Sequence, residues 1–368
     1  MAYNWQLSDW PNFIYEVQEV QPLMLSLAQE TGEMNGMLMG LPDHLKQEAL
    51  IQLMLSEAVK TSEIEGEFIS REDVMSSIRN NLGLNDIPVY VKDKRATGVA
   101  KLTIEVRKSF YEPLSLDMLL YWHSILMAGA KQITAGEWRK GPDPMQVVSG
   151  AYGREVVHYE APPANRVQTE MEHFTHWYNH ATFILKGGVA EGVLKSAIAH
   201  LYFESIHPFE DGNGRIGRAV AEKALSQALK KPVMLSLSKI IERDKSAYYA
   251  ALKEAQQTLK ITNWINYFAL VILEAQRDAK AMVQFTLKKT LFFDRYKNQF
   301  NERQFKAVNK MIEKGADGFE GGMTARKYIG INKTSKATAT RDLQQLQAMG
   351  VLMQQGMGRS VSYQLNLE

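Results

Sequence analysis

Apolar residues in the first part of the chain recur at steps of three and four. Leu45, Ala49, Leu50, Leu53, Met54 and Ala58 form one such series, which puts them on a single helical face, and Pro42 and Asp43 mark where that helix starts. The same texture predicts helix over most of 11–82, then over 96–110 and 116–126. Between 141 and 163 the pattern changes. There the β-branched pairs Val147, Val148 and Val156, Val157 flank Gly150, Ala151, Tyr152 and Gly153, which predicts a β-hairpin. Helical spacing returns at 167–181, 194–206, 214–229, 247–259 and 263–285, with Asn263 and Trp264 as packing residues. Past Lys288 the texture changes again, to a short helix at 305–312, a glycine-rich break at 315–322 and a compact basic module. The expectation is a mainly α chain in three regions, 1–95, 96–288 and 289–368, with a boundary near 290.

The chain has 368 residues, 45% of them hydrophobic and 23% charged, enough to bury a large core divided among two or three domains. Its formal net charge of +2 gives no global field toward nucleic acid or membrane, so partners must be read from local sites. Cysteine is absent, which excludes disulfides, thiolate chemistry and cysteine-bound metal centres. The start of the chain has neither a basic n-region nor an apolar core, so it does not read as a signal peptide. The most apolar stretch, 264–275, contains Asn266 and is far short of the roughly 20 residues of a membrane span. A cytoplasmic protein without membrane contact is expected.

The informative stretch is His207, Pro208, Phe209, Glu210, Asp211, Gly212, Asn213, Gly214, Arg215, Ile216, Gly217, Arg218, set between two strong helical patterns. Pro208 disfavours helix at His207, so the incoming helix stops there and turns the imidazole into the loop. Histidine titrates near neutrality and serves as a general base. Gly212 and Gly214 let backbone approach a ligand, and Asn213 between them tolerates a tight turn. The N–H groups that open the next helix then face an anion. Arg215 and Arg218 share a face near that helix N-terminus, where the dipole disfavours cations. Their placement makes sense if a polyphosphate neutralises them. Asp211 would repel the phosphate unless a divalent cation stood between, and magnesium, which binds through few carboxylates plus phosphate oxygens, is the expected one.

Residues 207–218 resemble, without a departure, the Fic-domain signature His-x-Phe-x-(Asp/Glu)-Gly-Asn-Gly-Arg-x-x-Arg. The resemblance implies a Fic-type helical bundle that transfers AMP from ATP to a Tyr, Thr or Ser hydroxyl of a target protein, self-modification included. By position, His207 is the base and Asp211 holds magnesium. Gly212, Asn213, Gly214, Ile216 and Gly217 form the nucleotide loop, and Arg215 and Arg218 hold the β and γ end. Glycine at 214, where phosphorylating relatives have lysine, favours nucleotidyl transfer.

Further elements fit the same resemblance. The hairpin of Val147, Val148, Val156 and Val157 falls where Fic proteins have a flap that docks the target by β-augmentation. Tyr248 and Tyr249 resemble tyrosines near the adenine. Thr61, Glu65 and Gly66, one helical turn and a stop, are similar to the inhibitory motif whose glutamate pairs with the second arginine, here Arg218, and obstructs the γ-phosphate. His173, His176 and His180 share a helical face but lack acidic partners and read as polar surface. The C-terminal module reads as a winged helix, with helices at 324–328 and 335–349, a turn at Gly330, and a wing over 351–363 that turns at Gly356 and Gly358. Lys333, Lys336, Arg341 and Arg359 would line its recognition face, toward DNA or protein. The resemblance is also compatible with a homodimer. Two rival functions follow: AMP removal or transfer of another phosphate-containing group on the same scaffold, and DNA-binding regulation with a vestigial site.

Overall fold

The computed structural model describes residues 2–130, 133–149, 156–315 and 318–367, with backbone alone at Val148, Ser149, Val156 and Arg359. These fall into two units, one of Met1–Gly36 with Leu50–Ala279 and one of Met37–Ala49 with Lys280–Glu368.

Eleven helices among the described residues run through or into the first unit. They are α1 (Val17–Gly40), α2 (Asp43–Ile64), α3 (Arg71–Asn81), α4 (Lys94–Lys108), α5 (Leu116–Leu126), α6 (Val167–His180), α7 (Gly188–Ile206), α8 (Asn213–Ala228), α9 (Leu237–Arg243), α10 (Lys245–Ala255) and α11 (Thr262–Tyr296). Short polar side chains start several of them by accepting an otherwise orphaned N–H. Ser70, Asp93, Ser115 and Asp244 do so for α3, α4, α5 and α10.

The packing of α7 against α8 positions everything that follows. Helix α7 is buried along nearly its whole length from Gly192 to Ile206, and glycines let the two backbones close in. A Cβ at Gly192 would stand 2.9 Å from Leu225 Cδ1, and one at Gly217 would stand 2.4 Å from Glu204 Oε1. Ser196 Oγ donates across the interface to the Ala221 carbonyl at 2.8 Å. Phe174, Tyr202, Phe203, Ile216 and Trp122 fill the surrounding core at interior helical positions, and Phe209 joins them from the loop.

Strands β1 (Gln146–Ser149) and β2 (Val156–Glu160) form the expected antiparallel hairpin. Val147 pairs with Tyr159 and Val148 with Val157, so the register slips at His158 as a bulge. The predicted turn at Gly150, Ala151, Tyr152 and Gly153 lies outside the described residues.

The second unit contains α12 (Glu302–Ile312), α13 (Ala325–Asn332), α14 (Lys336–Ala348) and the antiparallel strands β3 (Leu352–Gln355) and β4 (Ser362–Leu365). Val308, Met311, Tyr328, Leu343, Leu346 and Val351 make its core. The Tyr328 hydroxyl donates to buried Asp342 at 2.9 Å, and Arg303 Nε donates to the same carboxylate oxygen.

Several boundaries differ from the sequence expectation. Helix α11 runs straight through residue 290, because no glycine or proline interrupts 262–296, and the division between units falls inside it. Helix α13 continues through Gly330, which a helix tolerates at a cost of about 1 kcal/mol, and the turn comes instead at Lys333 with φ 49°. Helix α7 starts at Gly188, six residues before the expected 194. Short α9 was not anticipated.

Candidate active site

The last turn of α7 delivers His207. Its N–H donates to the Phe203 carbonyl at 3.0 Å, and its backbone then turns left-handed, φ 50° and ψ 60°, instead of extended as a residue before proline prefers. A non-glycine residue there carries strain that its surroundings must hold. They do so through the carbonyls that end α7, which have no intrahelical donors. The Ser205 carbonyl accepts from the Tyr159 hydroxyl at 2.6 Å, and the Glu204 carbonyl from Gln256 Nε2 at 3.2 Å. Arg139 covers the rest: Nε donates to the His207 carbonyl at 2.8 Å, Nη2 to Ile206 at 3.4 Å, and its backbone N–H to Pro208 at 2.9 Å.

Nδ1 of the His207 imidazole lies 3.7 Å from Glu204 Oε2. Burial, and next the Arg139 charge, push this imidazole down to about 4, so it is neutral at physiological pH. Burial pushes the Glu204 carboxyl up to about 8, with the Glu65 charge adding to the effect.

Beyond Pro208 the loop is closed by two side chains. Asn213 pairs with Phe209 at both backbone groups, accepting from its N–H at 2.9 Å and donating to its carbonyl at 2.8 Å. His123 of α5 stacks on the Phe209 ring at 3.9 Å, and its Nε2 lies 3.2 Å from the Asp211 carbonyl while Nδ1 accepts from Gly136 N–H. Burial lowers His123 to about 4, which keeps it a neutral one-donor, one-acceptor wedge.

Gly212, φ 84°, caps the start of α8, whose ladder begins with Ile216 donating to the Gly212 carbonyl at 3.0 Å. The N–H groups ahead of that bond open the helix with its positive dipole end. Two arginines flank this opening, and both are buried. Arg218 Nη2 donates to Glu65 Oε1 at 2.8 Å and to the Thr61 carbonyl at 2.9 Å, while Nε donates to Thr61 Oγ1 at 2.9 Å. Arg215 Nη1 donates to Glu67 Oε2 at 2.7 Å, and Nη2 reaches Asp211 Oδ1 at 3.3 Å. Arg215 Nε and Arg218 Nη1 are buried without a partner among the described residues. An unmet charged donor is costly, so both are suited to an added anionic acceptor.

Glu65 lies against the helix opening itself. A Cβ at Gly214 would stand 2.2 Å from Glu65 Oε1 and 3.0 Å from Arg218 Nη1. Gly214 is helical, not left-handed, so its glycine serves close approach, whereas Gly212 supplies the turn. Gly66, φ 79°, follows the end of α2 and lies between Glu65 and Glu67 in the strap that carries them.

A cavity of about 510 Å³ opens beside this arrangement, lined among others by Glu65, Glu204, His207, Gly214, Tyr248 and Val147. Tyr249 lines it too, partly exposed, whereas Tyr248 is buried with its hydroxyl 2.8 Å from His200 Nε2.

Most of the sequence-derived residues thus converge, whereas Gly217 serves the packing of α7 on α8. Ile216 points into the core and offers the loop only its backbone. The Asn213 side chain is consumed in closing the loop, so it too faces an anion through backbone alone. Val157 is exposed on the hairpin, and Trp264 packs with its indole donating to the Ala197 carbonyl. His173, His176 and His180 are exposed, with His176 and His180 stacked. Lys333, Lys336 and Arg341 are exposed in the second unit. Among the described residues, no three acidic or histidine side chains gather tightly enough to hold a metal unaided, and no helix is long and apolar enough to cross a membrane. Arg139, His123, Glu204 and Glu67 were missed. Glu67, two residues past Glu65, and Glu204, three before His207, lay close to recognised motifs.

Residues 113–225 match the Fic/DOC family, and residues 3–84 match a domain of unknown function, DUF4172. A probable protein adenylyltransferase of Aquifex aeolicus is 26% identical over 58% of this chain and 58% of its own length. A protein adenylyltransferase Fic of Drosophila virilis is 29% identical over 39% of this chain and 26% of its own. The chain thus spans under two thirds of each of these relatives. A Fic family protein from Desulfovibrio desulfuricans shares the fold over 97% of this chain and 98% of its own, with TM-score 0.55 and 19% identity. A Fic domain containing signaling protein from Bacteroides thetaiotaomicron does so over 70% and 97%, also with TM-score 0.55 and 19% identity.

Proposed function

We propose, from the premise that residues 113–225 are a Fic/DOC domain, that this protein is an adenylyltransferase that moves AMP from ATP onto a protein hydroxyl and is held back by its own Glu65. The observation that carries this reading is the helix opening at Gly214, where two buried arginines each keep a side-chain nitrogen without a partner among the described residues, beside a cavity that Gly214 and the neutral His207 imidazole line. That set suits a triphosphate and an incoming alcohol together.

His207, with Nδ1 toward Glu204, leaves Nε2 to take the hydroxyl proton. The alkoxide oxygen then attacks the α-phosphorus, forming the new P–O bond as the bond to the β-phosphate bridging oxygen breaks, and pyrophosphate departs. The α8 opening with Arg215 and Arg218 stabilises the charge on the leaving group, so positioning and electrostatics supply the catalysis. Asp211 fits a magnesium ion: its side chain is half exposed, and only Oδ1 is engaged, by Gly212 N–H and Arg215. One carboxylate plus phosphate oxygens is the set magnesium accepts, and when bound it neutralises phosphate charge. The hairpin around Val147 borders the cavity and would present the target segment by strand pairing.

Glu65 occupies an anion's place against Gly214 and takes Arg218, so it competes with the far end of ATP. Glu67 does the same at Arg215. The C-terminal unit, three helices and a two-stranded hairpin, reads as a winged helix for docking DNA or protein.

The test is intact-mass measurement after incubation with ATP and magnesium. Glu65→Gly should gain AMP on itself and Glu65→Gly/His207→Ala should not. Gain in neither, with no nucleotide uptake by calorimetry, defeats the reading. Mass gain from a different labelled nucleotide would redirect it to a sister transfer.

A further inference from the structure

We infer that Arg139 is a positioning residue that locks His207 in its left-handed conformation and ties that base to the root of the β1–β2 hairpin. The inference rests on the adenylyltransferase reading and names a residue that reading does not contain.

Arg139 is only 5% exposed, and no carboxylate pairs with it among the described residues. Its guanidinium is met by main-chain carbonyls alone. It donates to His207 at 2.8 Å and Ile206 at 3.4 Å on one side, and to Pro162, two residues past β2, on the other. Its own N–H reaches Pro208. A buried cation without a counter-ion is unfavourable unless its donors are well placed. Here they are placed on the strained residue and its neighbours. The negative end of the α7 dipole adds a favourable field for the guanidinium.

Two consequences follow from that geometry. Carbonyls 206 to 208 cannot rotate without breaking bonds to Arg139, so the backbone at His207 stays in a region non-glycine residues avoid. The Pro162 bond joins the strand that borders the target to the residue that deprotonates it, and Tyr159, bonded to the Ser205 carbonyl, makes a second tie from the same strand. Movement of the hairpin root is thereby passed to the base. Arg139 also places a fixed positive charge beside the imidazole, whose other charged neighbours are Glu65 and Asp211, while the raised Glu204 carboxyl faces it mostly protonated.

The test uses the full chain in the Glu65→Gly background, with Arg139→Met and Arg139→Lys. Arg139→Met should lower the rate constant for self-modification about 100-fold, the scale of a misplaced reacting group, with the Kd for ATP changed less than about threefold. Arg139→Lys keeps charge but not the fork and should recover part of that loss. In NMR titrations the His207 ring should titrate at higher pH in Arg139→Met than in the parent, and near the parent value in Arg139→Lys. An unchanged rate in Arg139→Met, or equal losses in rate and ATP affinity, overturns the inference while leaving the adenylyltransferase reading intact. If the parent does not modify itself, that reading fails instead. The ring titration then judges Arg139 alone, and an unmoved His207 in Arg139→Met overturns it.

Discussion

The two ends of the loop between α7 and α8 are held in opposite ways. At the His207 end, neutral main-chain carbonyls meet donors from Arg139, Tyr159 and Gln256, and a phosphate, which only accepts, cannot replace those donors. At the arginine end, Arg218 and Arg215 are held by the carboxylates of Glu65 and Glu67 from a distant strap. A phosphate offers the same chemistry as those carboxylates, so it can take their place. The difference separates a fixed end, where strain at His207 is maintained, from an exchangeable end, where binding and inhibition compete for the same donors.

The sharpest way to break this comparison is at the fixed end. His207→Ala in the Glu65→Gly background should lower self-modification by about 10² to 10⁴-fold, with ATP affinity by calorimetry unchanged. A parallel fall in affinity would mean that His207 belongs to the binding end after all. The exchangeable end should answer in the other sense. Glu65→Gly should tighten ATP binding by roughly tenfold or more, a gain of about 1.4 kcal/mol, because Arg218 no longer has to exchange one anion for another. Its melting temperature without nucleotide should fall, since a buried guanidinium loses its partner, and saturating ATP should restore it. Glu67→Gln should act in the same direction and more weakly, about two- to fivefold in Kd, because Arg215 keeps Asp211 as a second acceptor. Calorimetry on the double variant sharpens the point. Additive gains mean two independent contacts, and a larger combined effect means that the strap leaves as a unit.

How much of this was legible follows the same division. The exchangeable end could be read because its signals are local: Gly212 turns, and two arginines stand where the dipole opposes them. Thr61, Glu65 and Gly66 were readable only beside that run, since their partner Arg218 is more than 150 residues away. At the fixed end His207 and Pro208 were readable, but the clamp that holds them was not. Arg139 lies 68 residues before His207 and binds it through carbonyls, which every residue possesses and no sequence pattern marks. His123 works the same way on Asp211, 88 residues distant. The hairpin was readable from its β-branched pairs, but its bulge at His158 was not, because register depends on the pairing of both strands. Helix α11 was cut short near 285 by a change of texture rather than by a breaking residue, and a helix needs the latter to end.

The smallest expected effect concerns pH, and it tests the fixed end without any substitution there. A histidine at its ordinary 6.5 is only about a quarter neutral at pH 6, so a base of that kind would lose most of its activity between pH 8 and 6. Burial and the Arg139 charge hold His207 at about 4, so the imidazole stays neutral through that whole interval. The acid limb of kcat/KM, which reports the free enzyme, should therefore lie below pH 5, with activity lost as pH falls through it and nearly flat above. Removing Glu65 takes away a negative neighbour that favours the protonated ring, so the limb of Glu65→Gly should lie no higher than that of the wild type. An acid limb near 6.5 in both proteins would mean that the ring is solvated like any surface histidine, and that the carbonyl clamp does not hold it in the buried position on which the contrast between the two ends depends.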